Sequence, residues 1–495
     1  MTIMNSYYDP THISPTPPLQ PIVPAYHVRI LSDESLQAFR SATFEILDEV
    51  GVYCPSPKAW EIYASNGAHV DPLNQIVRLP PDLVLKAMAQ APRFYTMGAR
   101  SPEYDICLDG SAMYCATDGC GIETIDFETR QRRPSRKDDT AKMARLADAL
   151  PSVGFYWPVV SAQDFPATAP LHELEAAFNN TVKHVQTETV MDEVMARYAV
   201  EIATVIAGDK QILRQRSPLS ALICTIAPLA QDLGGMEAAL VLAEAGIPVG
   251  FMSMANTGST APASIAGTLA VADAEIIAAL VLIQLAFPGA AVYHSMMPGI
   301  MHPRTGDYLG TTWEVDITYP VGVEIAHHWG VPTLAAMFGP DAPYPGWQSA
   351  AEVASSLLLD AFCGAETGSG MGLLESCTVL YPEELVLAAD IYHRVRITAE
   401  GIDTSREAMA LDTIKAVGPR GQFLRQRHTR DGLRRLRYSE LTAQPAPGGG
   451  WLDPIEVARQ KTQSLLETHF PQPLEIAQQD EIKRIIHAAE KEFAV

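Results

Sequence analysis

Polar side chains that could do chemistry follow a series of short apolar segments, at the points where those segments end. Carboxylates come at Asp118, Asp164 and Glu188, and an amide comes at Asn256. Further polar or aromatic residues in the same kind of position are Thr117, Ser161, Gln186, Thr225, Ser253, His294, Ser295, Phe338, Asp341 and Glu375. Taken singly, each of them could equally cap a loop or satisfy a polar group in the core.

Aromatic residues lie on or beside the same segment ends. They are Tyr156, Trp157, Tyr293, Trp313, Phe338, Tyr344 and Trp347. Aromatic faces beside carboxylates are what a quaternary ammonium group selects, because the cation is attracted to the ring faces. Packing in the core is the alternative explanation, and aromatic residues by themselves favour it.

Motifs for several other chemistries are missing from the sequence. No His-Glu-x-x-His pair and no nucleophile elbow occurs, and the glycine-rich run 368–372 lacks the Lys-Ser/Thr ending of a phosphate-binding loop. His294 has no cysteine partner at metal-ligand spacing, so we expect no metal site. A Schiff-base lyase would need a lysine at the end of a segment, whereas Lys183 stands at the beginning of one.

The apolar segments alternate with helical stretches along the chain. Segments of strand length lie near 112–117, 155–161, 183–190, 219–226, 247–254, 290–297, 332–338 and 363–374. Helical patterns occur at 138–150, 169–181, 191–207, 233–245, 262–287, 315–329 and 348–362. This alternation predicts a parallel sheet, and eight such units over roughly 260 residues fit an α/β fold, the (β/α)8 TIM barrel. Its catalytic residues would lie at the C-terminal strand ends, so the candidates above would share one face.

Regions of different composition flank the barrel, which we assign to residues 111–440. Residues 1–30 contain six prolines and predict an extended arm or a disordered tail. Residues 31–110 have the pattern of an N-terminal α/β cap. Residues 441–495 predict a linker rich in proline and glycine and then a C-terminal extension of two amphipathic helices.

The composition restricts the class of protein further. The 495 residues are 47% hydrophobic and carry a net charge of −22, which is typical of a folded chain that does not bind nucleic acid. Seven cysteines without a Cys-x-x-Cys pair, and an N-terminus without a signal-peptide pattern, predict a cytoplasmic protein. The apolar stretch 276–293 is interrupted by Pro288-Gly289, so we expect a buried helix and strand and no membrane partner.

Two basic clusters stand out in this acidic chain, at residues 130–137 and 420–437. Each could be a solvated face, a contact between subunits, or a docking surface for an acidic partner protein or for the phosphate-bearing tail of a cofactor.

Many ordered stretches of the chain resemble the trimethylamine methyltransferase family, whose members are corrinoid-dependent enzymes with (β/α)8 barrels. The resemblance covers nearly all of the chain after the arm. It rests on residues 125–139, 227–229, 246–269, 274–285, 288–290, 304–306, 348–352, 412–418, 423–424 and 428–429.

The resemblance implies methyl transfer to the cobalt(I) of a corrinoid (cobalamin) that a cognate corrinoid protein carries. Family members with pyrrolysine act on trimethylamine, and members without it take quaternary amines. Pyrrolysine would lie within residues 338–343, which are ordinary residues here. We therefore expect a quaternary amine as substrate, glycine betaine first, with carnitine, proline betaine or another trimethylammonium compound as alternatives. A non-catalytic betaine-binding barrel and a barrel lyase stay open, and we expect a homo-oligomer.

Residue type and strand-end position suggest a role for each candidate. Phe338, Trp347 and Tyr293 would face the trimethylammonium head. The charge of that head would be balanced by Asp118, Asp164 or Glu188. The substrate carboxylate would be held by His294, Asn256 or Arg304. A quaternary ammonium already has a neutral tertiary amine as its leaving group, so the protein need only orient the methyl group, and no acid or base is assigned.

Overall fold

The computed structural model of the chain describes residues 13–336 and 339–493. The strands are β1 (Val52–Tyr53), β2 (His69–Asp71), β3 (Ile76–Arg78), β4 (Tyr95–Met97), β5 (Ile106–Leu108), β6 (Tyr114–Thr117), β7 (Glu123–Ile125), β8 (Arg132–Pro134), β9 (Val153–Tyr156), β10 (His184–Thr187), β11 (Leu219–Cys224), β12 (Val249–Ser253), β13 (Asn256–Thr257), β14 (Val292–Met296), β15 (Gly299–Met301), β16 (Tyr308–Leu309), β17 (Leu334–Ala336), β18 (Thr367–Met371), β19 (Leu373–Leu374) and β20 (Val379–Leu380).

The α-helices are α1 (Asp33–Glu45), α2 (Pro57–Ser65), α3 (Pro81–Met88), α4 (Lys137–Ala149), α5 (Ala169–Asn180), α6 (Glu193–Ala207), α7 (Lys210–Gln215), α8 (Leu233–Glu244), α9 (Ile265–Ala286), α10 (Thr318–Trp329), α11 (Trp347–Cys363), α12 (Glu384–Ala399), α13 (Leu411–Val417), α14 (Arg427–Leu433), α15 (Pro454–Thr468) and α16 (Ile476–Phe493).

Within the described residues, eight parallel strands form a barrel. Their hydrogen-bonded order is β14-β12-β11-β10-β9-β6-β18-β17. A parallel bridge between His294 and Thr333, next to β14 and β17, joins the two edges of this sheet. The strands follow one another around the barrel in chain order, with helices between them on the outside. The predicted (β/α)8 barrel is thereby confirmed.

The barrel helices begin where a side chain satisfies their first free backbone amides. Asp192 caps α6, accepting from Met195 N, and Ser264 caps α9, accepting from Gly267 N. Helix α9 therefore starts at Ile265, slightly later than the pattern of apolar residues alone predicts. Helix ends depend on such single hydrogen bonds, so the sequence places them to within a few residues.

The N-terminal cap closes one end of the barrel. Strands β1, β3 and β2 form an antiparallel sheet that packs with α1–α3 against the outside of α9. The hairpin β4–β5 then inserts Met97, Ile106 and Leu108 into the cluster of side chains that fills the barrel interior. The N-terminal end of the barrel is thus sealed, which leaves the C-terminal end for a site.

Helix α9 is, among the described residues, the one helix long and apolar enough to cross a membrane. Of its most apolar 18-residue window, 78% is buried inside the protein. It carries Asp273 and Glu275 at 0% exposure, both hydrogen-bonded to other parts of the chain. These features are typical of a central helix in a folded core, as the sequence predicts for this stretch.

Both chain ends pack against the barrel. Residues 13–31 are extended, with backbone hydrogen bonds that include Ile22 N to Met113 O and Ala25 N to Ala399 O. Helix α15 packs against α12 and α4, and α16 packs against α6 and α5. The arm and the C-terminal helices therefore form part of the outer layer of the protein.

Two small sheets lie at the C-terminal rim of the barrel, built from the loops that follow its strands. One joins β13, β15 and β16, which follow β12 and β14. The other joins β19, β20, β7 and β8, which follow β18 and β6. These sheets surround the open end of the barrel and shape the entrance to it.

Candidate functional site

A small cavity of about 60 Å³ lies at the C-terminal mouth of the barrel. Residues at or just after the ends of β6, β9, β10, β12, β14, β17 and β18 line it. They are Asp118, Gly119, Trp157, Glu188, Met252, Met254, Met297, Gly339, Ser369, Gly370 and Cys377. The barrel thus brings together side chains that are up to about 260 positions apart in the sequence, as this fold does for catalytic sites.

Asp118 provides a buried carboxylate on one side of the cavity. It directly follows β6 and is 5% exposed, and its Oδ1 accepts from the Gly119 amide at 2.9 Å. The other oxygen, Oδ2, has no hydrogen-bond partner among the described residues. Burial raises the pKa of Asp118 to about 6, although the neighbouring Cys377 thiol and the hydrogen bond from the Gly119 amide favour the ionised form. A buried acceptor without a partner is rare and here faces a cavity.

Glu188 provides a second carboxylate, just after β10. Its Oε1 accepts from the Cys224 thiol at 3.1 Å, and the neighbouring Cys120 thiol also favours the ionised form. Burial raises the pKa of Glu188 to about 7, and the negative charge of Asp118 adds to this effect. A cation bound beside Asp118 and Glu188 would offset the cost of burying their negative charges and would reduce the repulsion between them. The pair of carboxylates therefore favours the binding of a cation.

Three cysteine thiols support these carboxylates. Burial raises the pKa of the Cys120, Cys224 and Cys377 thiols, and the neighbouring carboxylates raise it further. The thiols are therefore neutral at ordinary pH, and Cys224 donates to Glu188. They add no charge to the site, so its potential stays negative.

The loop that carries Cys377 has an unusual backbone. Glu375, Ser376 and Cys377 have φ of 51°, 51° and 66°, in the left-handed region that residues other than glycine rarely adopt. Asp341 holds this loop, since it accepts from the Ser376 hydroxyl and from the amides of Gly310 and Thr311 at 3.0 and 2.9 Å. Such conformations concentrate at functional sites, and this one brings the Cys377 thiol to Asp118.

An indole forms the wall beside the carboxylates. Trp157 follows β9, and its backbone is fixed by Thr117, whose hydroxyl accepts from Trp157 N at 2.8 Å and donates to Trp157 O at 2.6 Å. The indole lies directly on Gly119, where a Cβ would come within 1.8 Å of Nε1. Glycine is therefore required at position 119. The Trp157 Nε1 donor has no partner among the described residues.

Thioethers make up much of the remaining wall. Met252, Met254 and Met297 come from β12 and from the residues after β12 and β14. Thioethers are polarisable and adapt to irregular apolar groups. None of the described residues that line the cavity is a Lys, Arg or His. The site combines negative charge with soft apolar and aromatic surface, which suits a cation that carries methyl groups.

Two of the residues proposed from the sequence, Asp118 and Glu188, meet at this cavity. Trp157, the three methionines and Cys377 also line it but were not among the proposed site residues. Trp157 could have been found, since it is an aromatic residue at a strand end. The methionines and Cys377 carry no signal in the sequence that separates them from core residues.

Asp164 lies elsewhere. Its side chain is exposed on the outer surface, and Oδ1 accepts from the Lys137 amide at 2.9 Å at the beginning of α4. The loop after β9 continues past the mouth before it reaches residue 164. This carboxylate therefore supports a helix end and does not face the cavity, contrary to the expectation from its position.

His294 and Tyr293 are also placed away from the cavity. His294 points out of the barrel towards α9, where its Nε2 lies 3.1 Å from Oδ1 of Asp273. Tyr293 points into the barrel but sits below the mouth, and its hydroxyl donates to the carbonyl of Ala221 at 2.8 Å. Alternate residues of β14 face opposite sides, so only one of this pair could point inward.

Asn256 and Arg304 lie in the rim, and Trp347 is on the surface. Asn256 begins β13, and its Oδ1 is buried without a partner among the described residues. Arg304 is exposed in the turn between β15 and β16. Trp347 begins α11 and is 85% exposed, so it does not line the cavity. Phe338, the remaining proposed residue, lies outside the described residues.

No group of three or more His, Cys, Asp or Glu in the described ranges could hold a metal ion. The basic cluster at 130–137 is neutralised locally by carboxylates. Arg132 pairs with Glu375 at 3.0 Å, and Arg133 pairs with Asp139 at 2.8 Å. These ion pairs join β8 to neighbouring segments, so this cluster is part of the rim structure.

The fold and the cavity define a (β/α)8-barrel protein with its site at the C-terminal mouth of the barrel. A family model described as trimethylamine methyltransferase matches residues 10–494. The chain belongs to this family and is a methyltransferase.

Relatives of the chain include enzymes with different substrates. It is 29% identical over 470 residues to the trimethylamine methyltransferase MttB of Desulfitobacterium hafniense, covering 94% of each chain. It is 26% identical over 461 residues to the glycine betaine methyltransferase of D. hafniense strain Y51, covering 92% of this chain and 95% of that one. Among solved structures, the monomethylamine methyltransferase of Methanosarcina barkeri superposes with a TM-score of 0.49 at 13% identity, over 95% of both chains.

Proposed function

We propose that this methyltransferase takes a methyl group from a quaternary amine, glycine betaine first, and passes it to a corrinoid carried by a partner protein. The observation that carries the proposal is the cavity at the barrel mouth. It presents two carboxylates, an indole and three thioethers, and no cationic side chain lines it among the described residues. This is the surface that a trimethylammonium group requires.

The chemistry of the donor explains why the site has no catalytic triad. In a quaternary ammonium the methyl carbon is already electrophilic, because breaking the C–N bond leaves the electron pair on a neutral tertiary amine. Asp118 and Glu188 would hold the cation, and Trp157 with the methionines would exclude water and orient one methyl group. A reduced corrinoid supplies the nucleophile for that methyl group when it is presented at the mouth.

The position of the cavity supports a cofactor that comes from a partner. It lies at the C-terminal mouth of the barrel, where a partner protein could present a corrinoid to a bound substrate. The rim around it, with Asn256 and Arg304, is where a substrate carboxylate and the incoming acceptor would be contacted. The family's known requirement for a corrinoid protein fits this arrangement.

Two further points support glycine betaine as the first candidate substrate. Residues 338–343 contain no pyrrolysine, which is the residue of the family members that act on trimethylamine. One relative is a glycine betaine methyltransferase. Carnitine, proline betaine and other trimethylammonium compounds present the same head group, so they are the alternatives that an assay must compare.

The test is methyl transfer to free reduced cobalamin, followed by the absorbance change on methylation. We expect the purified protein to methylate cobalamin with glycine betaine and to produce an equal amount of dimethylglycine. Trimethylamine and tetramethylammonium are the controls for recognition of the rest of the molecule. Absence of methylation with glycine betaine, carnitine and proline betaine alike would contradict the proposal.

A further inference from the structure

A cavity of about 510 Å³ lies on the outside of the barrel, between helices α11 and α12 and the segment that leads into α15. We call it the α11–α12 cavity, and it shares no lining residue with the cavity at the barrel mouth. Along α12 it extends from Glu384 to Arg394, a distance of about 15 Å, because a helix rises about 1.5 Å per residue. It is therefore a separate, elongated cavity with room for a small molecule.

Apolar side chains form most of the walls of the α11–α12 cavity. Leu387 and Ile391 lie on the same face of α12 as Glu384, because residues three or four positions apart share one face of a helix. Helix α11 contributes the small side chains of Ala350, Ala351 and Ala354. Trp347, at the beginning of α11, is 85% exposed and forms the part of the wall next to solvent. The walls suit a hydrocarbon chain.

The buried part of the cavity contains a carboxyl group with an unused oxygen. Glu384 is 2% exposed, and its Oε2 has no hydrogen-bond partner among the described residues. Burial raises the pKa of Glu384 to about 8, and the negative charge of Glu383 adds to this effect, while the Ser349 hydroxyl opposes it. A buried acceptor without a partner costs free energy, so a ligand that donates to Glu384 supplies the missing hydrogen bond.

The other charged side chains of the cavity have partners or lie in solvent. Asp390 accepts from the Ser439 hydroxyl at 2.8 and 2.9 Å, and Asp453 accepts from the Ile455 amide at 3.0 Å. Arg394 is exposed. Three carboxyl groups against one guanidinium give the lining a net negative charge when all are ionised. The cavity therefore favours a cation over an anion.

We propose that the α11–α12 cavity binds an apolar ammonium ion that carries at least one N–H. The N–H donates to Glu384, and the hydrocarbon chain lies along the apolar faces of α11 and α12. A quaternary ammonium has no N–H and cannot donate to Oε2, so this site selects a different class of amine from the proposed methyl donor. The inference does not rest on that donor or on its acceptor.

The first test is calorimetric titration of the full-length protein with octylammonium chloride. The titration is made at pH 8, where an alkylamine, like a lysine side chain, still carries its proton. We expect one ion to bind per chain, without displacement by saturating glycine betaine. Affinity is expected to fall about fourfold for each methylene removed from the chain. Octyltrimethylammonium, which lacks the N–H, and octanoate, which has the opposite charge, are each expected to bind at least about tenfold more weakly.

The second test locates the site with two variants. Glu384→Gln keeps the size of the side chain and removes its charge, and we expect octylammonium to bind at least about tenfold more weakly. Ala351→Phe fills the cavity without changing the carboxyl group and is expected to abolish binding. Glu244→Gln, on an exposed carboxylate at the end of α8, is the control and should leave the affinity unchanged. Circular dichroism checks that each variant is folded.

Three results would overturn the proposal. The first is a failure of octylammonium to bind to the native protein. The second is equal binding of octylammonium and octyltrimethylammonium, which would show that the chain alone is recognised. The third is the native affinity for octylammonium in a folded Glu384→Gln or Ala351→Phe variant, which would place the bound ion elsewhere.

Discussion

At the scale of single residues, the site depends on two carboxylates that the fold keeps partly protonated. Asp118 and Glu188 have pKa values raised to about 6 and about 7, in each case chiefly by burial. A quaternary ammonium ion keeps its positive charge at every pH. When it binds beside Asp118 and Glu188, its charge favours the ionised form of both carboxyl groups. In the proposed function their role is to bind and position the substrate, and the leaving group, a neutral tertiary amine, would need no acid or base.

The first prediction concerns these side chains. Asp118→Asn and Glu188→Gln each remove one negative charge while keeping the size of the side chain. We expect each to weaken glycine betaine binding about tenfold or more, since hydrogen-bonded or charged contacts contribute about 1.5–3 kcal/mol. Calorimetric titration measures this change. Asp164→Asn is the control, because that carboxylate is exposed and far from the cavity, and an equal effect there would contradict the assignment.

The second prediction is a pH dependence. In the ligand-free protein, Asp118 and Glu188 keep their protons at pH values where the unfolded chain has lost them. The free energy of unfolding therefore falls as pH rises from the ordinary carboxyl pKa of about 4 to about 6 for Asp118 and about 7 for Glu188, and levels off above those values. A bound cation favours the ionised forms, so betaine affinity is expected to rise from pH 5.5 to 8. The shift of the thermal unfolding temperature on adding betaine, recorded at each pH, measures this affinity. In Glu188→Gln the rise should be smaller and centred near pH 6, and a flat profile in the native protein would count against the carboxylates.

At the scale of elements, buried polar contacts fix how the helices and strands of the barrel meet. Lys183, at 0% exposure before β10, donates to the carbonyls of Ala147, Leu150 and Val153 at 2.8, 2.8 and 2.7 Å. It thereby joins the end of α4 to the beginning of β9. Burial lowers its pKa to about 8. This lysine is at the sealed end of the barrel, which excludes it from chemistry at the mouth.

The third prediction follows from these contacts. Lys183→Met keeps the apolar stem but removes three hydrogen bonds from a charged donor, although Ala147 O and Leu150 O still accept from backbone amides. We expect a loss of about 3 kcal/mol in the free energy of unfolding, because hydrogen bonds to a charged group contribute about 1.5–3 kcal/mol each and part of this is offset by the lower cost of burying an apolar side chain. Urea unfolding followed by circular dichroism measures it. The control is Lys142→Met on the exposed face of α4, which breaks a surface ion pair with Asp138 worth less than about 0.5 kcal/mol. Equal losses of stability in the two variants would contradict the prediction, because they would show that the three carbonyls do not depend on Lys183.

The helices and strands also show how much of this fold the sequence predicts. Periodicity located the barrel strands and helices to within a few residues, since long apolar patterns average over local irregularities. Strands β7, β8, β13, β15, β16 and β20 were not predicted, and each is two or three residues long. Strands that short show no period, and tertiary contacts alone define them, yet they build the rim of the site.

At the scale of the whole molecule, one buried carboxylate connects the two chain ends to the barrel. Asp148 accepts from Thr181 Oγ1 at 2.8 Å and from Val182 N at 2.9 Å, both before β10. It also accepts from Thr16 in the extended arm and contacts His469 after α15 at 2.7 Å. Burial opposes its ionisation, but His469, Lys183 and Thr16 outweigh that cost and lower its pKa.

The fourth prediction tests this connection. Asp148→Asn is expected to lower the unfolding free energy by about 2–4 kcal/mol, because a buried hydrogen-bonded charge is lost. Thr16→Val removes a single donor and should cost about 1 kcal/mol. Limited proteolysis near residue 16 and thermal unfolding measure the two effects. Because the pKa of Asp148 is lowered, its ionised side chain stabilises the native protein at neutral pH, and this stabilisation is lost in strong acid. An Asp148→Asn variant as stable as the native protein at pH 7 would contradict the prediction.

The sequence by itself determined the barrel, the order of its elements and the resemblance to a methyltransferase family. It also pointed to the strand ends, because parallel strands place their C-terminal ends on one face. Tertiary structure alone decided which of those residues meet. Asp118 and Glu188 line the cavity, whereas His294 faces a helix and Asp164 caps one. Alternation along a strand defines two faces, but which face turns inward, and at what height, depends on how neighbouring strands are staggered and where the loops lead.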